Sequence, residues 1–323
     1  MKARATSAVH CVVVSAIILA ITGFARPVAA TQILKIWVTV YKELNNGESP
    51  SWSSKDQATE WAVRESARLE PIVLSIVRGE RPDVQWIAGL AIAQAIPTPK
   101  MCAALREILR DTISHAPAGR IEPGSLDEGG LINIIDILVE AAPTGLPPFL
   151  RSLLAQEKQS SLIIEHCVNA LRRVGGRDDV ETLRQVSLRR EDPFIDRLCA
   201  LAEKAIEARL SGRDILRDAD NELRAVTAKY LGALRSKDFA AYADAQPFAY
   251  RDVAKKEEVV REVFGNPQVE DVIRALAGVA GKEAFEIDRD NLEATLVVDG
   301  RYKFVYVLEV EGWKISGPTM IAP

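Results

Sequence analysis

The sequence predicts a mainly α-helical chain, an α-solenoid followed by a small α+β domain with a four-stranded antiparallel sheet. Three observations support this prediction. Apolar residues recur at helical spacing through the first two thirds of the chain. Pairs of such helices repeat with a period of about 32 residues. After residue 283 the apolar spacing changes to the strict alternation that is typical of a half-buried sheet.

The first residues have the pattern of a secretory signal peptide. Lys2 and Arg4 give a positively charged start, residues 11–25 form an apolar run, and Val28 and Ala30 are the small residues of a cleavage site. The alternative is an uncleaved membrane anchor, which is disfavoured because a bilayer span needs about 20 apolar residues. We therefore expect an exported protein, periplasmic or secreted, without a membrane span after cleavage.

Composition and charge weigh against several classes of function. Hydrophobic residues make up 48% and charged residues 27%, which is typical of a globular protein. A net charge of −4 argues against a nucleic-acid partner, because phosphate binding needs a basic surface. The sequence contains no metal-ligand spacing, phosphate-binding loop or nucleophile elbow. It therefore predicts no metal, no cofactor and no catalytic residues, and favours a protein that is not an enzyme.

The helical repeat is clearest in two segments, residues 162–174 and 194–206. When they are aligned, apolar residues match throughout and Cys167 coincides with Cys199. A further step of about 32 residues toward the N-terminus brings Ile135 to the same position. Two helices in each period are the signature of an α-solenoid. Shorter second helices are predicted at residues 146–156 and 179–189.

This pattern resembles the HEAT-like repeats, particularly the short bacterial type. Residues 81–96 look like another first helix and residues 98–113 like its partner, so that the resemblance covers about residues 55–210. HEAT-like proteins are mostly binding and scaffolding proteins, and the resemblance implies a protein partner on the solenoid surface. The residues that carry it are Asp192 and Pro193 at a helix start, then Ile195, Cys199, Ala202 and Ile206 on one face.

One short stretch contains the residue types of a nucleophilic hydrolase, His166, Cys167, Asp178 and Asp179. The repeat assigns them structural roles instead. Cys167 takes the inward position of its helix, and His166, about 100° further around the axis, is expected at a flank or in solvent. Asp178 and Asp179 begin the next helix, where carboxylates are favoured by the positive helix end. We therefore expect no catalytic site in this stretch.

The cysteines of the mature chain are expected to be structural. Cys102, Cys167 and Cys199 all lie within apolar helical patterns, which favours buried free thiols. A disulfide between Cys167 and Cys199 remains open, because stacked repeats bring equivalent positions together.

Two segments depart from the repeat. Residues 114–130 are rich in Pro and Gly and predict a long loop, of a kind that is usually functional or mobile. Residues 31–54 fit no repeat, and predict either a strand or a capping helix followed by a linker.

A different fold is predicted after residue 212. Residues 220–245 have the spacing of a long amphipathic helix followed by a shorter one, and residues 255–265 and 269–278 predict two more. Asp299–Gly300 is a strong hairpin turn signal, and Glu311–Gly312 predicts a second turn. The predicted strands are residues 284–288, 292–300, 301–312 and 313–317.

Alternation divides the side chains of this sheet between two faces. The outward face is predicted to hold Glu293, Thr295, Arg301, Lys303, Glu309 and Lys314. The inward face is predicted to hold Phe285, Ile287, Leu292, Ala294, Leu296, Val298, Tyr302, Phe304, Tyr306, Leu308, Val310, Trp313 and Ile315. Helices must cover the inward face, because it is almost entirely apolar.

The C-terminal pattern resembles the nuclear-transport-factor-2-like (ketosteroid-isomerase-like) domains. Residues 230–244 and 309–317 carry the resemblance, which covers roughly residues 219–319. The chain lacks the family's early hairpin between the helices, so a cystatin-like sheet, or an α+β sheet particular to this protein, remains an alternative. Enzymes of the family use an Asp base or an Asp–His pair, and the inward face here has neither. Asp238 and Asp244 are instead expected to cap helices.

An aromatic inward face suits a small hydrophobic ligand, a dimer interface or a closed core. The leading prediction is therefore an exported protein-interaction or scaffold protein whose C-terminal module binds a ligand or dimerises. The alternative is an isomerase or dehydratase acting in the C-terminal domain. The candidate ligand-binding residues are Tyr230, Tyr302, Phe304, Tyr306 and Trp313. The predicted domains are a signal peptide (1–30), an N-terminal segment and linker (31–54), a helical repeat domain (55–212) and an α+β domain (213–323).

We predict cleavage between Ala30 and Thr31, because the small residues of the site end there and Pro27 precedes them. N-terminal sequencing of the protein recovered from its native compartment checks this. A mature chain that begins at Met1 or Lys2 contradicts it.

Overall fold

The computed structural model describes residues 38, 41–42, 48–51, 55–78, 84–115, 126–156, 159–248 and 261–321. The predicted signal peptide and most of the predicted linker lie outside these residues, so export stays a prediction. The described part of the chain is mainly helical and ends in an open antiparallel sheet. None of its helices combines the length and the apolar character that crossing a bilayer requires.

The chain divides into two compact units, residues 1–174 and 175–323. This division precedes the predicted domain boundary at residues 212–213. Two helices with the repeat pattern fall in the second unit, and one of them contributes Leu201 to the core that contains the sheet. The change in sequence pattern and the division in packing are therefore separate features of the chain.

Seven helices are described in the first unit. Pro99 and Pro147 stand at helix starts, where the missing backbone N–H has no partner to lose. The helices are α1 (Lys55–Arg64), α2 (Ser66–Arg78), α3 (Val84–Ala95), α4 (Pro99–His115), α5 (Leu126–Ala141), α6 (Pro147–Leu154) and α7 (Ser161–Val174). The loop predicted at residues 114–130 is therefore shorter at both ends, because α4 extends to His115 and α5 begins at Leu126. Residues 116–125 lie outside the described residues.

Helices of the first unit pack against their second neighbours. α1 contacts α3, α3 contacts α5 and α5 contacts α7, while α2 contacts α4 and α4 contacts α6. Contacts between α2 and α3, α4 and α5, and α6 and α7 join these two rows. α3 packs more extensively against α2 than against α4, which corrects the predicted pairing of residues 81–96 with residues 98–113.

A tryptophan and a glycine fix the approach of three helices. The indole Nε1 of Trp86 in α3 donates to the carbonyl oxygen of Val77 in α2 at 3.0 Å, and both groups are buried. The ring lies against Gly130 of α5 so closely that a Cβ there would be 1.9 Å from its Cζ3 atom. Gly130 therefore leaves the space that the indole fills, and the neighbouring Gly129 has no atom within 4 Å of its Cβ position.

The predicted inward positions of the repeat are confirmed as buried. Ile135, Cys167 and Cys199 are each at most 1% exposed. All three cysteines of the described chain, these two and Cys102, are buried and free, so no bond joins Cys167 to Cys199.

The second unit combines five described helices with five strands. The helices are α8 (Arg177–Arg190), α9 (Pro193–Leu210), α10 (Ala219–Ser236), α11 (Phe239–Ala245) and α12 (Val269–Val279). The strands are β1 (Glu286–Asp288), β2 (Glu293–Val298), β3 (Tyr302–Glu309), β4 (Gly312–Ile315) and β5 (Thr319–Met320). The predicted helix at residues 255–265 lies mostly outside the described residues.

The sheet is antiparallel, with strand order β1-β2-β3-β4. β5, which was not predicted, pairs with β3 beyond the end of β4, through Tyr302 and Met320. Asp299 and Gly300 have φ values of 54° and 63°, which confirms the predicted turn between β2 and β3. The second turn differs by one residue, because Glu309 already pairs with Gly312 and the turn residues are Val310 and Glu311.

Alternation of burial along β2 and β3 confirms the predicted inward face of the sheet. α10 packs against β4 and α12 against β2, so the inward side chains share one core with these helices. One residue of the predicted outward face is nevertheless removed from solvent. Lys314 is buried, because its Nζ atom donates to the backbone carbonyl oxygen of Asp244 at 2.9 Å.

We predict that Gly130→Ala lowers the free energy of unfolding by about 1–3 kcal/mol, because the added methyl group must displace the indole of Trp86. Gly129→Ala is the matched control in the same helix, and it is expected to be neutral or to stabilise by up to about 1 kcal/mol. Denaturant unfolding of both variants measures the difference. Equal effects would show that Gly130 is not a packing requirement.

Candidate functional site

The structure places all five predicted ligand-binding residues in one buried core. Tyr230 lies on α10, Tyr302, Phe304 and Tyr306 lie on β3, and Trp313 lies on β4. Tyr302 and Trp313 are the most exposed of the five and remain below a tenth exposed. Sequence reasoning therefore brought together side chains that are neighbours in space. Such burial is expected both of a closed core and of an enclosed ligand site. Ligand binding by these residues therefore stays a prediction.

Buried hydroxyl groups give this apolar core its polarity. The hydroxyl of Thr227 lies 2.8 Å from that of Tyr306 and donates to the carbonyl oxygen of Leu223 at 2.7 Å. Because the threonine has one proton, Tyr306 is the donor in the first of these bonds. Tyr230 also lies beside Tyr242, and their ring centroids are 5.6 Å apart. Burial raises the pKa of Tyr230 and Tyr306, so both phenols keep their protons.

Sequence reasoning missed Thr227 and Tyr242, although a signal for Thr227 exists. It lies four residues after Leu223 and three before Tyr230, on the buried face of α10. A polar residue on an apolar helical face requires a partner when it is buried. Tyr242 in α11 packs edge-on against Phe264, with ring centroids 5.6 Å apart.

A buried carboxylate also lies beside this core. The side chain of Glu283 is 6% exposed, and its Oε2 atom accepts from Nη1 of Arg224 at 2.5 Å. A second guanidinium nitrogen of Arg224 donates to the backbone carbonyl oxygen of Glu283 at 2.8 Å. The ring of Phe285 lies 5.4 Å from that of Tyr306 and 5.9 Å from the Arg224 guanidinium carbon. Glu283 was not found from the sequence, because it precedes the first strand and has no periodic context.

The acidic residues at the ends of α11 have structural partners. Asp238 accepts from the backbone N–H of Ala241 at 3.1 Å, which confirms it as the N-cap of α11. Asp244 was predicted to cap a helix as well, but its carboxylate forms an ion pair with Lys229. Among the contacts that the structure describes, none joins the carboxylate of Asp238 or Asp244 to the phenol groups of the core.

The histidine and cysteine of α7 have different surroundings. Cys167 is fully buried, and burial raises the pKa of its thiol far above the usual range, which leaves no thiolate nucleophile. Burial likewise raises the pKa of Cys199 to about 12. His166 was expected at a flank or in solvent, but its side chain is only 13% exposed and its Nδ1 atom lies 3.2 Å from Oδ1 of Asp136 in α5.

Further carboxylates surround this histidine. Glu128 of α5 is buried and accepts a hydrogen bond from the hydroxyl of Ser160, which precedes α7. Burial raises the pKa of Glu165. Burial alone would lower the pKa of His166, but the hydrogen bond to Asp136 and the nearby carboxylates outweigh it and raise the pKa.

The two aspartates after this helix are confirmed in their predicted position at the start of α8. Asp179 is buried and accepts from the backbone N–H of Gly176 at 2.6 Å. Asp179 therefore caps the N-terminus of α8. This structural role is distinct from the contacts of His166 with its neighbouring carboxylates.

Comparisons with known proteins add no identification. The sequence matches no protein-family model, no curated protein and no solved structure. In the described part of the chain, no group of three or more His, Cys, Asp and Glu side chains could hold a metal ion.

We predict that Tyr306→Phe lowers the free energy of unfolding by about 1 kcal/mol, because it removes the buried hydrogen bond to Thr227. Tyr302→Phe on the same strand is the control, since the Tyr302 hydroxyl has no hydrogen bond among the described residues, and its effect is expected to be smaller. Chemical denaturation compares the two variants. A larger loss in Tyr302→Phe would contradict the assigned hydrogen bond.

Proposed function

We propose that this chain is an exported binding protein without a catalytic site. Its helical repeats present a recognition surface to a protein partner, and its C-terminal unit binds a small hydrophobic ligand or a second copy of the chain. The observation that carries the proposal is the packing of each helix of the first unit against its second neighbour. This packing supports a HEAT-like solenoid, whose use is the presentation of an extended surface.

The exposed faces of the repeat carry both signs of charge. Arg78 and Glu107 form an ion pair of 3.4 Å across α2 and α4, and Arg173 and Glu140 lie 3.9 Å apart across α5 and α7. Arg78 and Glu140 are each more than half exposed. A mixed surface of this kind suits a protein partner better than a nucleic acid, which selects for a basic face.

The order of elements in the second unit supports a likeness to the nuclear-transport-factor-2-like domains. A long helix, shorter helices and then a sheet with an aromatic inward face is the arrangement that the resemblance implied. Its phenol pairs would supply hydrogen bonds to a hydrophobic ligand that carries one polar group.

The alternative function, an isomerase or dehydratase, rests on Glu283. A general base needs a carboxylate that is free to accept a proton from the substrate. The carboxylate of Glu283 is neutralised by Arg224, and the phenols keep their protons, so the group is better suited to binding than to proton abstraction.

Native mass spectrometry of the mature protein, purified from its native compartment, tests the proposal. We expect a bound small molecule or a second copy of the chain, together with a protein partner. Arg78→Glu and Glu140→Lys form a matched pair of surface variants, one on each row of helices. Because exposed ion pairs contribute less than about 1 kcal/mol, both variants should stay folded. The partner is expected to be lost in the variant whose row it contacts.

The binding proposal is contradicted if the protein is recovered without a ligand, a second copy or a partner, and if both surface variants give the same result. Turnover of a carbonyl or hydroxy substrate that is abolished by Glu283→Gln, in a variant that stays folded, would favour the alternative.

A further inference from the structure

His166 joins two neighbouring helices of the first unit. Its Nδ1 atom lies 3.2 Å from Oδ1 of Asp136, thirty residues earlier in the chain, so the contact connects α7 to α5. The imidazole is 13% exposed, whereas the carboxylate of Asp136 is 43% exposed. The pair is therefore open to protons from solvent on the carboxylate side and enclosed on the imidazole side.

Three carboxylates act on this one imidazole. Asp136 and Glu128 belong to α5, and Glu165 precedes His166 in α7. Glu128 is almost fully buried, and burial also penalises the charged form of Glu165. The attraction between a protonated imidazole and a carboxylate is stronger where water is excluded.

We propose that His166 is a proton-dependent clamp between α5 and α7. When protonated, the imidazolium supplies the positive charge that the three carboxylates share, and it holds the two helices together. When it loses the proton, the hydrogen bond to Asp136 loses its charge, and the attraction between the imidazolium and the carboxylates is lost. The stability of the first unit is then a function of the pH of the compartment.

The direction of the effect follows from the state that binds the proton more tightly. The carboxylates raise the pKa of His166 above its value in an unfolded chain, about 6.5. The stabilisation is complete below that value, and it is lost as the pH rises through the folded-state pKa. Burial raises the pKa of Glu165 as well, which gives the same sign, since its charged form is the disfavoured one.

Arginines also lie on α7 and on a helix that packs against it. Arg173 of α7 pairs with Glu140 of α5 at 3.9 Å, about two turns from His166. α6, which also packs against α7, has Arg151 as its one titratable side chain. An arginine stays protonated at every pH at which the protein is folded, so the titration in this pH range belongs to the His166 group.

Two measurements on the full chain test the clamp. The first is NMR titration of the His166 imidazole, assigned as the imidazole signal that is missing in His166→Gln. The second is hydrogen exchange of α5 and α7 at about pH 6 and pH 8, scaled for the intrinsic exchange rate. We expect the imidazole to titrate above its usual value, and both helices to lose protection at the higher pH. In His166→Gln the protection should be low at both pH values.

Asp136→Asn keeps the side-chain shape and removes its charge, and it is expected to lower the pKa of His166 and to reduce the pH dependence. Arg173→Gln is the control, because it removes a neighbouring contact between the same helices that contains no histidine. It should lower protection equally at both pH values. If His166→Gln fails to fold, Asp136→Asn decides. A His166 pKa at or below the usual value, or a pH-dependent loss of protection that is as large in His166→Gln or in Asp136→Asn as in the unaltered protein, overturns the proposal.

Discussion

The burial of α5 is the constraint on which the first unit depends. This helix contacts α3, α4 and α7, and most side chains between residues 131 and 139 are removed from solvent. The buried side chains are Leu131, Ile132, Ile134, Ile135, Ile137, Leu138 and Val139. A helix that is apolar around most of its circumference is stable only when neighbours cover it on several sides. The two rows of helices meet that requirement.

The polar residues of α5 are placed where its neighbours can use them. Gly130 leaves space for the indole of Trp86, Glu128 accepts from Ser160 at the start of α7, and Asp136 meets His166. These contacts join α5 to α3, to the residue before α7 and to α7 itself. A helix that is buried to this degree has few positions at which a charge is tolerated, and both of these carboxylates have a hydrogen-bond partner.

Two polar contacts join the helices of the second unit to its sheet and to the chain just before it. Tyr306 is hydrogen-bonded to Thr227, and Glu283 forms an ion pair with Arg224. α9 is also joined to the sheet, by contacts nearer the surface. Arg197 of α9 forms an ion pair with Glu311 in the turn before β4, and its guanidinium carbon lies 4.1 Å from the ring centroid of Phe248. These contacts link a helix of repeat pattern to the sheet.

The sequence by itself determined the elements and the faces that they bury. Periodicity identified the helices from α3 to α10, the inward face of the sheet and the buried positions of Cys167 and Cys199. The Asp299–Gly300 turn was equally readable, because the backbone of such a turn requires positive φ at both residues. These features are local, since each depends on residues within a few positions of one another.

Only the tertiary structure decided which polar residues meet. His166 and Asp136 are 30 residues apart in the chain, and Arg224 and Glu283 are 59 residues apart. The enclosure of Lys314 and the fifth strand likewise depend on chain that returns from elsewhere. A periodic pattern indicates which side of a helix or strand is buried, but it does not identify the element that packs against that side. The partner of a charged side chain is set by the packing of whole helices and strands, and that packing exists only in the folded chain.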